Sequence, residues 1–285
     1  MTPTYLTTDR IHLFIDMALQ EDVGEGDFSS LASIPSTAEQ KGKLLIKAEG
    51  ILAGVELAQT IFHRIDPDLR FERLLMDGDR VMKGDIAFEI EGKVHSILKG
   101  ERLVLNCMQR MSGVASYTHH LRSIIQHTQA KLLDTRKTTP NARIIEKWAV
   151  AIGGGINHRF GLFDMIMLKD NHVDAAGGVK KAILATSAYL KNNNKSLAVE
   201  IEVRTIDELK EVLEVGNVNR IMLDNMTIAQ LKEAVELVGS RYELEASGGI
   251  TRSTIKDVAE TGVNYISVGV LTHSYKSMDM SLKLT

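Results

Sequence analysis

Residues 197–224 read LAVEIEVRTIDELKEVLEVGNVNRIMLD. Two short apolar runs, LAVEIEV and NRIMLD, flank TIDELKEVLEVG, where Ile206, Leu209, Val212 and Leu213 share one helical face. A threonine opens that helix and a glycine closes it, as capping and the left-handed stop require. The stretch therefore predicts strand, helix, strand: one parallel βα unit. TIAQLKEAVELVG and TRSTIKDVAETG repeat the helical plan, and AKLLD, FDMIMLKD, RYELEAS and NYISVGV repeat the strands. Strand ends are expected at Asp134, Asp170, Glu202, Asp224, Ser247 and Gly269, the last four about 22 residues apart. A closed barrel needs eight strands, so the pattern predicts an α/β fold with an open or incomplete parallel barrel.

The first hundred residues have another texture. GKLLIKAEGILAG alternates like antiparallel strands, and RFERLLMDGDRVMKGDIAFEIEGKVHSIL is broken by Asp-Gly and Gly-Asp turns. Helices are expected over about 52–65 and about 100–126. The reading is a separate N-terminal α+β domain, residues 1–108, and a barrel over 109–273 that carries the active site. The alternating tail, 274–285, is expected to return to the first domain as an edge strand. DGDRVMKGD resembles the hairpins of biotin and lipoate carriers. Neither Lys83 nor Lys93 has the turn context a carrier lysine needs, so turn chemistry is the preferred reading.

With 34 basic against 37 acidic residues, nothing predicts attraction to nucleic acid or to an anionic membrane. The one cysteine, Cys107, excludes an internal disulfide framework and fits a reducing cytosol. No signal peptide and no bilayer-spanning run is read, so a cytoplasmic protein is expected.

Ligands of βα barrels bind at the carboxyl ends of the strands, where the polar residues gather. Arg136 and Lys137 follow the first strand, and Lys169 ends the second. Glu202 and Asp224 end the third and fourth, and Ser247, Gly248 and Gly249 follow the fifth. Gly269, Val270, Leu271 and His273 close the sixth. His158 and Arg159 follow the glycine run between the first two strands. Glycine loops there suit phosphate, and arginine grips carboxylates through two parallel bonds. Glu202 and Asp224 suit Mg²⁺ or sugar hydroxyls. No Ser or Cys stands beside a base, and HExxH, CxxC, Walker and GxGxxG patterns are lacking. Cations, a metal and phosphate without a nucleophile point to group transfer between bound substrates.

DTRKTTP (134–140), EKWAVAIGGGINHRFGLFDMIMLKDNH (146–172), VEIEVRT, IMLDN, ASGGI and ISVG occur in one order. In order and spacing they resemble the quinolinate phosphoribosyltransferases, also called nicotinate-nucleotide pyrophosphorylases (carboxylating). ERLVLNCMQRMSGVAS and ALQEDVGEGDFSS upstream extend the likeness over nearly the whole chain. The resemblance implies a mixed α/β domain on an open barrel, in a homodimer with composite active sites; whether dimers form hexamers stays open. It implies that quinolinate and phosphoribosyl pyrophosphate (PRPP) give nicotinate mononucleotide, CO2 and pyrophosphate, with Mg²⁺, in NAD biosynthesis.

By position, Arg136, Arg159 and Lys169 would hold the quinolinate carboxylates with His158 beside them, and Arg102 would reach the partner's site. Thr135 and Lys137 would bind substrate, Lys137 facing PRPP. Glu202 and Asp224 would bind the ribose or the metal–pyrophosphate. Ser247, Gly248, Gly249, Gly269, Val270, Leu271 and His273 would take the 5′-phosphate. Lys137, Lys169, Glu202 and Asp224 are the expected catalytic residues. Asn141 stands where family members often have glycine, and asparagine tolerates the left-handed conformation. The alternatives are a related transferase for another aromatic acid or base, of the molybdenum-operon type, and a non-catalytic sensor of PRPP or a dinucleotide.

Overall fold

The structure is a computed structural model that describes residues 3–285; the first two residues of the expected N-terminal domain lie outside the described residues. Along the chain run α1 (Thr8–Val23), α2 (Phe28–Ser33), β1 (Glu39–Ile46), β2 (Gly50–Ile51), α3 (Val55–Ile65), β3 (Arg70–Arg73), β4 (Arg80–Val81) and β5 (Ile86–Lys93). The long α4 (Val94–Ile125) is followed by β6 (Lys131–Leu133), α5 (Arg143–Ile152), β7 (Ile166–Leu168), α6 (Asp170–Ala176) and α7 (Val179–Asn192). Then come β8 (Val199–Val203), α8 (Ile206–Val215), β9 (Arg220–Asp224), α9 (Ile228–Val238) and β10 (Glu243–Ser247). The chain ends with α10 (Ile255–Ala259), β11 (Tyr265–Ser267), α11 (Val270–His273) and β12 (Met280–Leu284).

The chain divides into two compact units. One holds the chain up to His119, Lys137–Gly154 and Val270–Thr285; the other holds His120–Arg136 and Gly155–Gly269. This division differs from a cut at residue 108, because α5 and α11 go with the first unit. Glu146 of α5 is fully buried there and accepts from Arg110 Nε at 2.9 Å and Nη2 at 2.7 Å. The same carboxylate accepts the Thr139 N–H at 3.1 Å.

In the first unit, an antiparallel sheet has the order β12-β1-β5-β3. The C-terminal strand pairs with β1, with Leu44 opposite Leu282 and Ile46 opposite Met280. Alternation buries Leu44 and Ile46 on one face. The 3.6-residue period of α3 buries Leu57, Ala58, Ile61 and Phe62. Phe62, Phe71 and Phe88 cluster at tilted and edge-on angles, with ring centroids 4.4 Å (Phe71–Phe88) and 6.2 Å (Phe62 to each) apart. A buried aromatic ring of this kind contributes about 1.5–3 kcal/mol.

In the second unit, six parallel strands run in the order β6-β11-β10-β9-β8-β7. The consecutive strands β6 and β7 lie at opposite edges, so the barrel is open between them. The segment after the glycine run meets the free edge of β6 instead. Ile156 donates to Leu132 O at 2.8 Å, and its own carbonyl accepts from Asp134 N at 3.1 Å. Helices α8 and α9 start at Thr205 and Thr227, whose side chains accept from Glu208 N and Gln230 N, and end at Gly216 and Gly239.

Candidate active site

Strand register decides which side chains of the second unit share a face. Met167 pairs with Glu200, Glu200 with Arg220, Arg220 with Glu243, Glu245 with Tyr265, and Ser247 with Asp224. With a period of two, Glu200 and Glu202 face the same way as Arg220, Met222 and Asp224. Glu243, Glu245 and Ser247 share that face, and the intervening Val199, Ile201, Val203, Leu244 and Ala246 point the other way. One face is therefore polar from the amino ends of the strands to the carboxyl rim. This placement explains how VEIEV carries two acids while every residue in it is buried.

At the rim, Lys169 Nζ lies 2.9 Å from Glu202 Oε2, the lysine half exposed and the glutamate buried. Asp224 is partly exposed and accepts the Asn225 amide at 2.7 Å. The Ser247–Gly249 loop follows β10 next to it, and Asn225 N donates to Ser247 O at 2.9 Å. A Cβ on Gly248 would clash with Asn225 Oδ1, and φ there is +97°, so only glycine fits. Arg136 and Arg159 are both partly buried and near enough to act on each other. Burial first, and the Arg136 charge second, push the Arg159 pKa below its ordinary value. Arg159 Nη1 donates to Met165 O at 3.3 Å. Two guanidinium groups held together at a half-buried rim repel each other, and an anion between them would offset that repulsion.

The structure thus brings together Arg136 with Arg159, Lys169 with Glu202, and Asp224 with Ser247. His158 does not turn toward the rim. Its ring is 5% exposed and its Nε2 lies 3.1 Å from Glu200 and 3.4 Å from Glu245, both fully buried. Its Nδ1 accepts the Arg159 N–H at 2.7 Å. Nδ1 is thus used inside the protein, and Nε2 faces the two buried glutamates. Burial opposes a charge on the ring, but Glu200 and Glu245 outweigh it and push the His158 pKa up to about 9. Burial raises the pKa of Glu200; at Glu245 His158, Ser267 and Arg220 outweigh burial and lower it. Arg220 Nη1, 3.2 Å from Glu245, supplies the cluster with positive charge and stacks 4.0 Å from the Tyr265 ring centroid.

Thr135 is half-buried and leads into Arg136. Gly269 ends the second unit, and the residues after it belong to the first. There Lys137 and His273 line a polar cavity of about 460 Å³ with Arg110, Thr138, Thr139 and Tyr275. The Thr272 hydroxyl donates to Lys137 O at 2.9 Å. Val270 is partly exposed, whereas the Leu271 side chain is fully buried, which leaves only its main chain for a ligand. Arg102 is exposed on α4, with no ion pair among the described residues. Cys107 is buried, which pushes its thiol up to about 12 and removes it as a nucleophile.

Sequence reasoning missed Asp134, Asn157 and the Glu200–Glu245–Arg220 cluster. The available signal was the acids alternating through the apolar strands VEIEV and ELEAS.

Two family models match end to end. The N-terminal domain of quinolinate phosphoribosyl transferase covers residues 27–112, and the C-terminal domain of the same family covers 114–283. The chain belongs to the quinolinate phosphoribosyltransferase family. Within that family, it is 48% identical to "Quinolinate phosphoribosyltransferase [decarboxylating] 1b" of Nicotiana tabacum, over 95% of this chain and 81% of the relative. It is 40% identical to the "Probable nicotinate-nucleotide pyrophosphorylase [carboxylating]" of Bacillus subtilis, over 93% and 90%. The solved structure of NadC from Streptococcus pyogenes superposes with a TM-score of 0.92 at 42% identity, covering 99% of both chains. Asn141, where the family resemblance leads one to expect glycine, adopts φ +63°, the left-handed conformation that glycine would supply.

Proposed function

We propose that this chain transfers the phosphoribosyl group of PRPP to quinolinate, giving nicotinate mononucleotide, CO2 and pyrophosphate, as a step of NAD biosynthesis. The observation that carries this reading is the pair of rim arginines, Arg136 and Arg159, in a member of this family. Two cations that repel each other when the site is empty suit an acceptor with two neighbouring carboxylates. Lys169 completes the positive set, and releasing it from Glu202 would free that acid for the sugar or the pyrophosphate. Lys137 and His273 serve PRPP, whose phosphates suit the polar cavity that these two residues line.

Glu202 and Asp224 are hard oxygen donors on neighbouring strands, and Asp224 remains open to solvent. Two carboxylates plus substrate phosphates are the usual setting for Mg²⁺, so the residues fit the ion. When bound, Mg²⁺ would stabilise the charge of the departing pyrophosphate. As pyrophosphate leaves, C1 of the ribose gains oxocarbenium character and the pyridine nitrogen attacks it. The cationic ring then favours loss of the adjacent carboxylate as CO2, and the electron pair left on that ring carbon takes up a proton. The protein orients both reactants and supplies preorganised charge.

The proposed assembly is a homodimer in a cytoplasmic setting, with Arg102 serving the neighbouring subunit. In support, Leu13, Met17, Phe28 and Leu31 of α1 and α2 are all more than half exposed, an apolar surface that favours a protein partner. No helix among the described residues is long and apolar enough to cross a membrane.

The test is a product-mass assay with purified protein, PRPP, Mg²⁺ and either quinolinate or nicotinate. Nicotinate mononucleotide from quinolinate, and none from nicotinate, is expected. The same product from nicotinate, without CO2, would overturn the reading.

A further inference from the structure

Two repelling arginines need something to hold their backbones in place, and the loop bearing Arg159 lacks regular secondary structure from Asn157 to Met165. Such a loop gains no ladder of main-chain bonds, and fixing each residue costs conformational entropy. Its first two residues are nevertheless pinned to the end of β6. Asp134, fully buried, accepts the His158 N–H through Oδ1 at 2.8 Å and the Asn157 amide through Oδ2 at 2.7 Å. Main-chain bonds between Ile156 and both Leu132 and Asp134 reinforce this edge. Arg136 stands two residues beyond Asp134, and Arg159 directly after His158. One buried carboxylate therefore ties together the two segments that carry the guanidinium groups. From below, the His158 ring is fastened to Glu200 of β8 and Glu245 of β10, which fixes the same turn to the middle of the sheet.

We infer that Asp134, with the His158 ring anchored on Glu200 and Glu245, is a positioning device that sets the spacing of Arg136 and Arg159 and so selects for an acceptor with two adjacent carboxylates. None of these anchors is a catalytic residue in this scheme; they act through the arginines. The inference rests on the proposed function and adds residues that composition and spacing did not single out. It also accounts for three fully buried acids, Asp134 at the end of β6 and Glu200 and Glu245 within the sheet.

The experiment compares wild type with Asn157→Ala, which removes one of the bonds that Asp134 accepts, and with Asp134→Asn, which sets an amide against the Asn157 amide. Val212→Ala, in the buried face of α8, serves as a control that lowers stability elsewhere. Steady-state constants are measured for quinolinate and PRPP, with inhibition constants for benzene-1,2-dicarboxylate and benzoate. For both site variants, KM for quinolinate is expected to rise about five- to thirtyfold. The preference for the diacid over benzoate should shrink in proportion, with KM for PRPP unchanged within about twofold. Val212→Ala should shift none of these. An unchanged quinolinate KM in active, folded Asn157→Ala would overturn the inference, as would equal rises for quinolinate and PRPP or the same loss in the control. Should Asp134→Asn fail to fold, Asn157→Ala decides alone. A wild type inactive on quinolinate would instead overturn the proposed function, and unchanged diacid preference in the inhibition data would then separately sink the positioning role.

Discussion

Replacing Arg136 or Arg159 by alanine removes one charge-assisted grip on a carboxylate and also relieves the repulsion between the two groups. The two consequences differ in sign. A hydrogen bond to a charged partner contributes about 1.5–3 kcal/mol, so losing one should lower kcat/KM for quinolinate roughly tenfold to about 150-fold. The empty protein should not suffer equally. Burial and the Arg136 charge both disfavour the Arg159 cation, and its bond to Met165 O is long at 3.3 Å. Relief of that repulsion should leave the melting temperature unchanged or raise it. Two assays settle the matter: initial rates at varied quinolinate with saturating PRPP, and thermal melts with and without quinolinate. Wild type should be stabilised by quinolinate, by about 2.7 kcal/mol at a hundred times its dissociation constant, and each variant much less. Near-normal kcat/KM in both variants would refute the reasoning. So would a loss of activity that merely follows a loss of fold.

Other consequences are equally concrete. Mixing inactive Arg102→Ala with inactive Lys169→Ala protein should restore activity after subunit exchange; verified exchange without recovery would count against a shared site. Phe28→Asp combined with Leu31→Asp should shift the protein toward monomer in sedimentation, and an unchanged mass would remove that patch from the interface. Glu146→Ala strands the partly buried Arg110 and should cost about 3–5 kcal/mol in urea unfolding; a loss below about 1 kcal/mol would class the pair with surface bridges. Chelation should abolish turnover and added Mg²⁺ restore it, with circular dichroism unchanged; full activity in chelator would remove the role given to Glu202 and Asp224.

The legible parts of the sequence were those where one period dominates. Parallel strands buried on both faces leave apolar runs, and amphipathic helices capped by threonine and glycine leave marks between them. The six strands, the open barrel and the return of the tail to the first sheet followed from those marks. Less legible was anything set by side-chain direction. His158 stands beside Arg159 in sequence, yet its ring turns into the sheet because two buried glutamates offer partners there. Leu271 follows a glycine in a stretch that reads as a phosphate loop, but it lies in the short helix α11 and its side chain fills the core. Asp134 reads as one more polar strand end; only the fold shows that it reaches across to residues 157 and 158. The allocation of α5 was hidden for a similar reason, since Glu146 and Arg110 are 36 positions apart and no local pattern links them.

The central claim is that the rim arginines present a diacid to PRPP and that one of its carboxylates is lost. It is tested most directly by following quinolinate labelled in the 2-carboxylate. One labelled CO2 per pyrophosphate is the expected ratio, and pyrophosphate appearing while the label stays in the nucleotide would contradict it.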